Sequence, residues 1–170
     1  MSPVVVLVGP PGAGKTTVAH LVARRLGTEV RDTDADVEAE VGTTVQEVFV
    51  EHGEAHFRRL EAAAVARALE EHAGVLALGG GAVLDPATQE RLAGHPVVFL
   101  DVGLAASAQR VGMGAGRPLL LGNVRATMKA LLDERRPVYE RVASHVVVTD
   151  DLDAQEVADR VVGLLGGESR

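Results

Sequence analysis

The chain has 170 residues, 46% of them hydrophobic, and a formal net charge of −7. This length suits one domain with its own core, so we expect a single domain over residues 1–170. The acidic balance argues against nucleic-acid binding, because no basic surplus is left to neutralise a phosphate backbone. The chain contains no cysteine, and no segment is typical of a signal peptide or a membrane span. We therefore expect a cytoplasmic monomer that binds a small molecule.

Short valine-rich runs alternate with segments of helical spacing along the chain. The runs lie at residues 4–8, around 30, 75–78, 97–100 and 146–148, and the helical segments include 18–26, 55–72, 124–142 and 154–165. Strands that alternate with helices favour an α/β fold with a parallel sheet covered on both faces. In such a sheet, ligands bind at the carboxyl ends of the strands.

The first run leads into Gly9-Pro10-Pro11-Gly12-Ala13-Gly14-Lys15-Thr16-Thr17, which is the P-loop pattern between a strand and a helix. Its glycines let backbone N–H groups approach a polyphosphate, and the helix that follows points its positive dipole end at the same anion. We expect Lys15 to contact the β- and γ-phosphates and the Thr16 hydroxyl to bind Mg²⁺. The predicted nucleotide-binding residues are Gly12, Ala13, Gly14, Lys15, Thr16 and Thr17.

Two acidic residues follow the second strand, where a parallel sheet would place them beside the P-loop. Asp32 is a candidate Mg²⁺ ligand, directly or through water, and Asp34 can orient a substrate hydroxyl or accept its proton. A helix cap or a turn is the simpler explanation of Asp-x-Asp after a strand, because both favour aspartate. The neighbouring P-loop favours the functional interpretation.

Two glycine-rich segments also point to a site. Gly79, Gly80 and Gly81 end the third strand, where they permit either close approach of a small polar substrate or a tight turn into the next helix. Residues 112–123 are dense in glycine and contain a single cation, Arg117. This segment suits either an ordinary surface loop or a lid that brings Arg117 over a transferring phosphoryl group.

Arginines on the predicted helices offer further candidates. Arg58 lies three residues before Glu61, so that carboxylate can hold the guanidinium in place. Arg135 and Arg136 precede Pro137, which we expect to end or kink the helix and to release a guanidinium toward a site. Because arginines on helices are usually solvated, these positions gain a functional interpretation only from the resemblance that follows.

Taken in order, the motifs resemble the shikimate kinase family over nearly the whole chain. Besides the P-loop they are Asp-Thr-Asp at 32–34, Phe-Arg-Arg-Leu-Glu at 57–61, Leu-Gly-Gly-Gly-Ala-Val at 78–83, Arg-Pro-Leu-Leu at 117–120 and Glu-Arg-Arg-Pro-Val-Tyr at 134–139. The resemblance implies a P-loop NTPase fold of the nucleoside-monophosphate-kinase type. In that fold a five-stranded parallel sheet of order 2-3-1-4-5 is flanked by helices, with a substrate-binding region at about 33–61 and a lid at about 112–123.

The resemblance also implies a reaction: transfer of the γ-phosphoryl group of ATP to the 3-hydroxyl of shikimate, with Mg²⁺, in aromatic amino-acid biosynthesis. It implies that Arg117 contacts the ATP phosphates and that Arg110 lies beside the adenine. It also implies that two arginines, Arg58 and Arg136, bind the carboxylate of shikimate. The residues that we expect to bind shikimate are Asp34, Arg58, Gly79, Gly80, Gly81 and Arg136. The expected catalytic residues are Lys15, Asp34 and Arg117.

Two other functions fit part of this pattern. Another small-molecule kinase of the same build, such as a gluconate kinase, would share the P-loop, but the paired arginines and the triple glycine favour shikimate. A nucleotide-dependent switch would share it too, yet the chain has no Asn-Lys-x-Asp motif to read guanine. One segment departs from the family pattern: the stretch 149–153 is acidic and lacks the proline frequent in the adenine loop of the family.

Overall fold

The computed structural model describes residues 1–10, 13–103 and 124–167. Its strands are β1 (Val5–Val8), β2 (Val30–Asp32), β3 (Val75–Ala77), β4 (Val97–Asp101) and β5 (His145–Val148). Its helices are α1 (Lys15–Leu26), α2 (Thr33–Val41), α3 (Val45–Glu71), α4 (Pro86–Leu92), α5 (Val124–Val142) and α6 (Ala154–Gly167), with a 3₁₀ turn at Ala82–Leu84. Gly12, Arg110, Arg117 and the expected lid at 112–123 lie outside the described residues.

The strands form one parallel sheet in the order β2-β3-β1-β4-β5, which confirms the predicted order. At its centre, Leu7 of β1 lies beside Ala77 of β3 on one side and Val98 of β4 on the other. All five strands run in the same direction, so their carboxyl ends meet at a single edge. The P-loop, Asp32 and the triple glycine all begin at that edge.

Side chains of β1 alternate between two fully buried faces of the sheet. Val5 and Leu7 pack with α1 and α6, in a cluster that includes Val22 and Val161. Val6 and Val8 pack with α3, α4 and α5, in a cluster that includes Tyr139. Burial on both faces explains why the central strands β1, β3 and β4 are apolar runs, as in other parallel sheets. Within these three strands, polar side chains are confined to the ends.

Two helices differ from the sequence prediction. Helix α3 begins at Val45 rather than at 55, because Thr44 caps an additional helical segment before residue 53. Gly53 then kinks the helix with non-helical torsion angles (φ 83°, ψ 169°). Pro137 does not end α5, which continues to Val142 and closes with a hydrogen bond from Ala143 N to Tyr139 O (3.1 Å). A proline removes one helical donor, and the surrounding hydrogen bonds sustain the helix here. Among the described helices, none combines the length and hydropathy needed to cross a membrane.

Candidate active site

The P-loop closes around the start of α1. Gly14 precedes the helix with a left-handed conformation (φ 82°), which non-glycine residues rarely adopt. A Cβ on Gly9 would lie 2.8 Å from the carbonyl oxygen of Leu100, so β4 leaves no room for a side chain at that position. The Lys15 ammonium donates to the carbonyl oxygens of Gly9 (2.7 Å) and Pro10 (3.0 Å). A helix N-terminus and an ammonium group thus converge at one place, as an anion site requires.

Asp32 serves two purposes through its two carboxylate oxygens. Oδ1 caps α2 by accepting from the backbone N–H groups of Asp34 (2.8 Å) and Ala35 (3.4 Å). Oδ2 accepts from the hydroxyl of Thr16 at 3.2 Å. The capping explanation is therefore confirmed, and the functional one stays a prediction that the contact with Thr16 allows.

The oxygens of Thr16 and Asp32 fit a magnesium site. No group of three or more histidine, cysteine, aspartate or glutamate side chains suited to a metal is found in the described residues. Mg²⁺ needs no such cage, because it prefers oxygen and usually takes one or two protein ligands together with water and phosphate oxygens. A hydroxyl and a carboxylate beside the P-loop are a suitable pair of oxygen donors for that arrangement.

The triple glycine after β3 makes room for three charged side chains of the chain itself. A Cβ on Gly79 would lie 2.6 Å from Asp34 Oδ1 and 2.9 Å from Glu61 Oε2, and a Cβ on Gly81 would lie 2.5 Å from Arg58 Nη2. The backbone N–H of Gly79 also donates to Thr33 Oγ1 (3.2 Å), which ties α2 to this strand end. The tight-turn explanation of the glycines is confirmed, since the 3₁₀ turn follows directly, and the approach of a substrate stays a prediction. We call Asp34, Arg58, Glu61 and residues 79–81 the acceptor cluster.

Within the acceptor cluster, Arg58 is held on several sides. Its Nη1 lies 2.7 Å from Glu61 Oε1, as the i,i+3 spacing predicts, and its Nε lies 3.5 Å from Glu54 Oε1. The guanidinium also lies over the rings of Phe57 (5.4 Å to the centroid) and Phe49 (6.0 Å). These contacts give the guanidinium a fixed position before any ligand arrives, which lowers the entropy cost of binding.

Glu61 is an ionisable group in a buried position, with 3% of its surface exposed. Burial raises the pKa of Glu61 above its ordinary value, and the negative charge of Asp34 adds to that rise. The positive charges of Arg58 and Arg135 oppose it. The two carboxylates of the acceptor cluster are thus opposed by its own guanidinium, of Arg58, and by that of Arg135.

The two consecutive arginines of α5 lie in different surroundings. Nη1 of Arg136 lies 2.7 Å from Oδ2 of Asp101 at the end of β4. Arg135 instead acts on the acceptor cluster: its positive charge lowers the pKa of both Glu61 and Tyr139, against the larger effect of burial. Nε of Arg135 is buried and has no hydrogen-bond partner among the residues that the structure describes. The structure therefore places the charge of Arg135 near Glu61 and Tyr139, whereas the sequence prediction named Arg136 for the substrate carboxylate.

Tyr139 completes the wall behind the triple glycine. Its hydroxyl donates to the carbonyl oxygen of Gly80, and its ring stacks on Phe99 with 5.0 Å between centroids. The sequence prediction missed the roles of Arg135 and Tyr139, although their i,i+4 spacing places them on one helix face. Leu132, three residues before Arg135, is also buried and marks that face as the inner one.

A second concave region lies behind the P-loop. A cavity of about 260 Å³ is lined by the start of α1 and the turn before α6, including Ala13, Gly14, Thr17, Thr149 and Leu152. Asp150 in the same turn accepts a hydrogen bond from the backbone N–H of Gly103. The acidic stretch 149–153 therefore lines a hollow beside the phosphate site through its threonine and leucine.

The fold and the paired sites define a class of protein. A P-loop and an adjacent compact site of arginines and a carboxylate, on one edge of a 2-3-1-4-5 sheet, are the arrangement of a small-molecule kinase of the P-loop NTPase type.

Comparison with known proteins identifies the family. The family model for shikimate kinase matches residues 11–165. A shikimate kinase of Salinispora arenicola is 57% identical over 165 residues, 97% of this chain and 99% of its relative. The structure of shikimate kinase from Acinetobacter baumannii in complex with shikimate covers 99% of this chain and 94% of its own, at 33% identity and a TM-score of 0.91. That of Aquifex aeolicus shikimate kinase covers 97% of each chain, at 28% identity and a TM-score of 0.82. The chain belongs to the shikimate kinase family.

Proposed function

We propose that the P-loop and the acceptor cluster are the two halves of one kinase site, the first for ATP and the second for shikimate. The reaction is the transfer of the γ-phosphoryl group of ATP to the 3-hydroxyl of shikimate, which yields shikimate 3-phosphate and ADP in aromatic amino-acid biosynthesis. The relative from Acinetobacter baumannii was solved in complex with shikimate, which supports this acceptor. The observation that carries the residue assignment is the convergence of Arg58, Arg135 and Asp34 beside the P-loop.

In the donor half, Lys15 contacts the β- and γ-phosphates, and Ala13, Gly14, Thr16 and Thr17 bind through backbone N–H groups. The convergence of the lysine and the helix N-terminus supports this role. Thr16 and Asp32 would hold Mg²⁺, which when bound neutralises charge on the phosphate oxygens. The cavity near Thr149 and Leu152 is the proposed seat of the adenine. Gly12, Arg110 and Arg117 keep their expected roles as proposals, since they lie outside the described residues.

In the acceptor half, Arg58 and Arg135 take the carboxylate of shikimate. A guanidinium fork matches a carboxylate with two parallel hydrogen bonds, and two forks fix its orientation. The buried Nε of Arg135 supports this role, because an unpartnered buried donor is costly until a ligand reaches it. This proposal replaces Arg136, whose guanidinium is already bound to Asp101. Gly79, Gly80 and Gly81 keep their expected role in binding shikimate as a proposal, which the partial exposure of Gly79 and Gly80 supports.

Asp34 contacts the hydroxyl groups of the shikimate ring in this proposal. Its Oδ1 lies next to Gly79, at the strand end that faces the P-loop edge. From there it either accepts the proton of the 3-hydroxyl or only orients that hydroxyl toward the γ-phosphoryl group. Phosphoryl transfer asks little covalent work of the protein, so alignment and charge neutralisation account for most of the rate.

An acceptor-dependent assay tests this function. Release of ADP is measured for the whole chain with ATP, with and without Mg²⁺, and with shikimate, gluconate or a nucleoside monophosphate as acceptor. We expect ADP and shikimate 3-phosphate in equal amounts with shikimate and Mg²⁺ only. Turnover with gluconate or a nucleoside monophosphate, and none with shikimate, would contradict the proposal. The cytoplasmic location and the monomeric state both stay predictions. Light scattering after gel filtration tests the monomeric state.

A further inference from the structure

The ion pair between Arg136 and Asp101 is less exposed to solvent than the other described ion pair of helix α5. Its side chains are 38% and 19% exposed, with 2.7 Å between Nη1 and Oδ2. In the other pair, Lys129 and Asp133 are four residues apart on α5 (i,i+4), and both side chains are 65% exposed. Exposed pairs are screened by water and salt and contribute little, whereas partly covered pairs are screened less. The Arg136 pair is therefore the one able to fix the helix.

Asp101 is a firm anchor because the end of β4 contacts the donor half. Its backbone oxygen accepts from Thr149 N at 2.9 Å, next to the proposed adenine cavity. The preceding carbonyl, of Leu100, lies close enough to Gly9 to exclude a side chain there. A contact with Asp101 therefore sets the position of α5 relative to the P-loop.

Helix geometry connects this contact to the acceptor cluster. Successive residues of an α-helix point about 100° apart, so fixing the direction of Arg136 also fixes that of Arg135. On the inner face of α5, Tyr139 is held by the carbonyl of Gly80. Together, Tyr139 and Arg136 restrain the rotation of the helix at two directions, about 40° and about 100° around the axis from that of Arg135.

We propose that Arg136 is a positioning residue, whose ion pair with Asp101 holds α5 so that the guanidinium of Arg135 faces the carboxylate of shikimate. This inference rests on the proposed function of Arg135. Arg136 itself touches neither substrate in this arrangement. It acts on the geometry of the acceptor half relative to the donor half.

The test compares Arg136→Met with Asp101→Asn, which keeps the backbone contact of Asp101 and removes its charge. For each variant we expect a rise of about 2- to 5-fold in KM for shikimate, the upper part of the range for an ion pair that solvent still reaches. The kcat and the KM for ATP should change less than about twofold, because Lys15 and the P-loop are untouched. The double variant should be no worse than either single variant, since both remove the same contact. Arg136→Lys should recover part of the loss.

The controls separate this role from others. Lys129→Met removes the exposed pair of the same helix and should leave KM unchanged. If Arg136→Met raises KM and Asp101→Asn does not, Arg136 binds shikimate directly and the inference is wrong. An unchanged KM in both variants also overturns it. If Arg136→Met fails to fold, Asp101→Asn alone decides. Failure of the underlying assignment shows differently: Arg135→Ala would then leave KM unchanged in an enzyme that still phosphorylates shikimate.

Discussion

The donor and acceptor halves of the site are built in opposite ways. The donor half comes from one continuous stretch, residues 9–17, at the start of a helix. The acceptor half gathers charged side chains from α2, α3 and α5 around the end of β3. A site made of backbone is specified by local conformation, whereas a site made of side chains depends on how the helices pack on the sheet. Acceptor choice is therefore the property that tertiary packing controls.

The largest expected effect lies in the donor half. Lys15→Ala should lower kcat with shikimate by about 10²- to 10³-fold or more, the range for removing one group that stabilises transition-state charge. The fold should persist, because the ammonium donates to carbonyl oxygens of its own loop, those of Gly9 and Pro10. Steady-state kinetics measure the loss of kcat, and circular dichroism checks that the fold persists. Lys129→Ala, at the only other lysine, is the matched control and should behave as the unchanged enzyme.

The acceptor half should respond in KM rather than in kcat. Arg135→Ala should raise KM for shikimate about 10- to 100-fold, since a hydrogen bond to a charged group contributes about 1.5–3 kcal/mol. The KM for ATP should stay close to its original value, because the P-loop is a separate unit. Kinetics at varied shikimate and fixed, saturating ATP measure the change. A shift in the KM for ATP of the same size would show that the two halves are not separable.

Packing of the acceptor cluster gives a smaller effect, on stability. Gly79→Ala would place a methyl group against Asp34 and Glu61, and overpacking of this kind costs about 1–3 kcal/mol of unfolding free energy. Gly163→Ala is the matched control: it lies within α6 with open space around it, so it should stabilise the helix by about 0.5–1 kcal/mol. Urea unfolding measures both. Equal stability of the two variants would contradict the close approach at Gly79.

The buried carboxyl of Glu61 gives the subtlest prediction. Because its folded-state pKa is raised above 4.5, the folded protein takes up this proton at a higher pH than the unfolded chain does. This contribution to stability is fully present below pH 4.5 and is lost as the pH rises through the raised pKa. Relative to Glu61→Gln, the unchanged protein should therefore gain stability on acidification through that window. Urea midpoints of both proteins at several pH values test this, and a constant difference would contradict it.

The described part of the donor half lies where the sequence places it. A P-loop is a short local pattern, and Lys15, Thr16 and Asp32 all lie where that pattern and the strand order place them, while Gly12, Arg110 and Arg117 stay predictions. The parallel sheet could be predicted too, because its central strands β1, β3 and β4 are apolar runs. The function of Asp32 was left open between cap and ligand, and the structure shows the cap while leaving one oxygen beside Thr16.

The acceptor half could be predicted only in its residue types. A shift of one residue on a helix turns a side chain by about 100°, so a motif alone does not distinguish Arg135 from Arg136. The pairing of Arg135 with buried Tyr139, four residues on, is the signal that could have decided it. The triple glycine indicated a close approach, but the sequence could not reveal that Asp34, Glu61 and Arg58 make it. That contact joins elements far apart in the chain.

Tyr139 has an optical consequence. It is the only tyrosine of a chain without tryptophan, so its phenol ring accounts for almost all intrinsic ultraviolet emission. The ring is buried behind the acceptor cluster, with its hydroxyl on Gly80 and its face on Phe99. Fluorescence from the unlabelled protein thus reports on a single point behind the acceptor cluster. We expect this emission to change when shikimate binds, which would allow a titration without a dye or an introduced tryptophan.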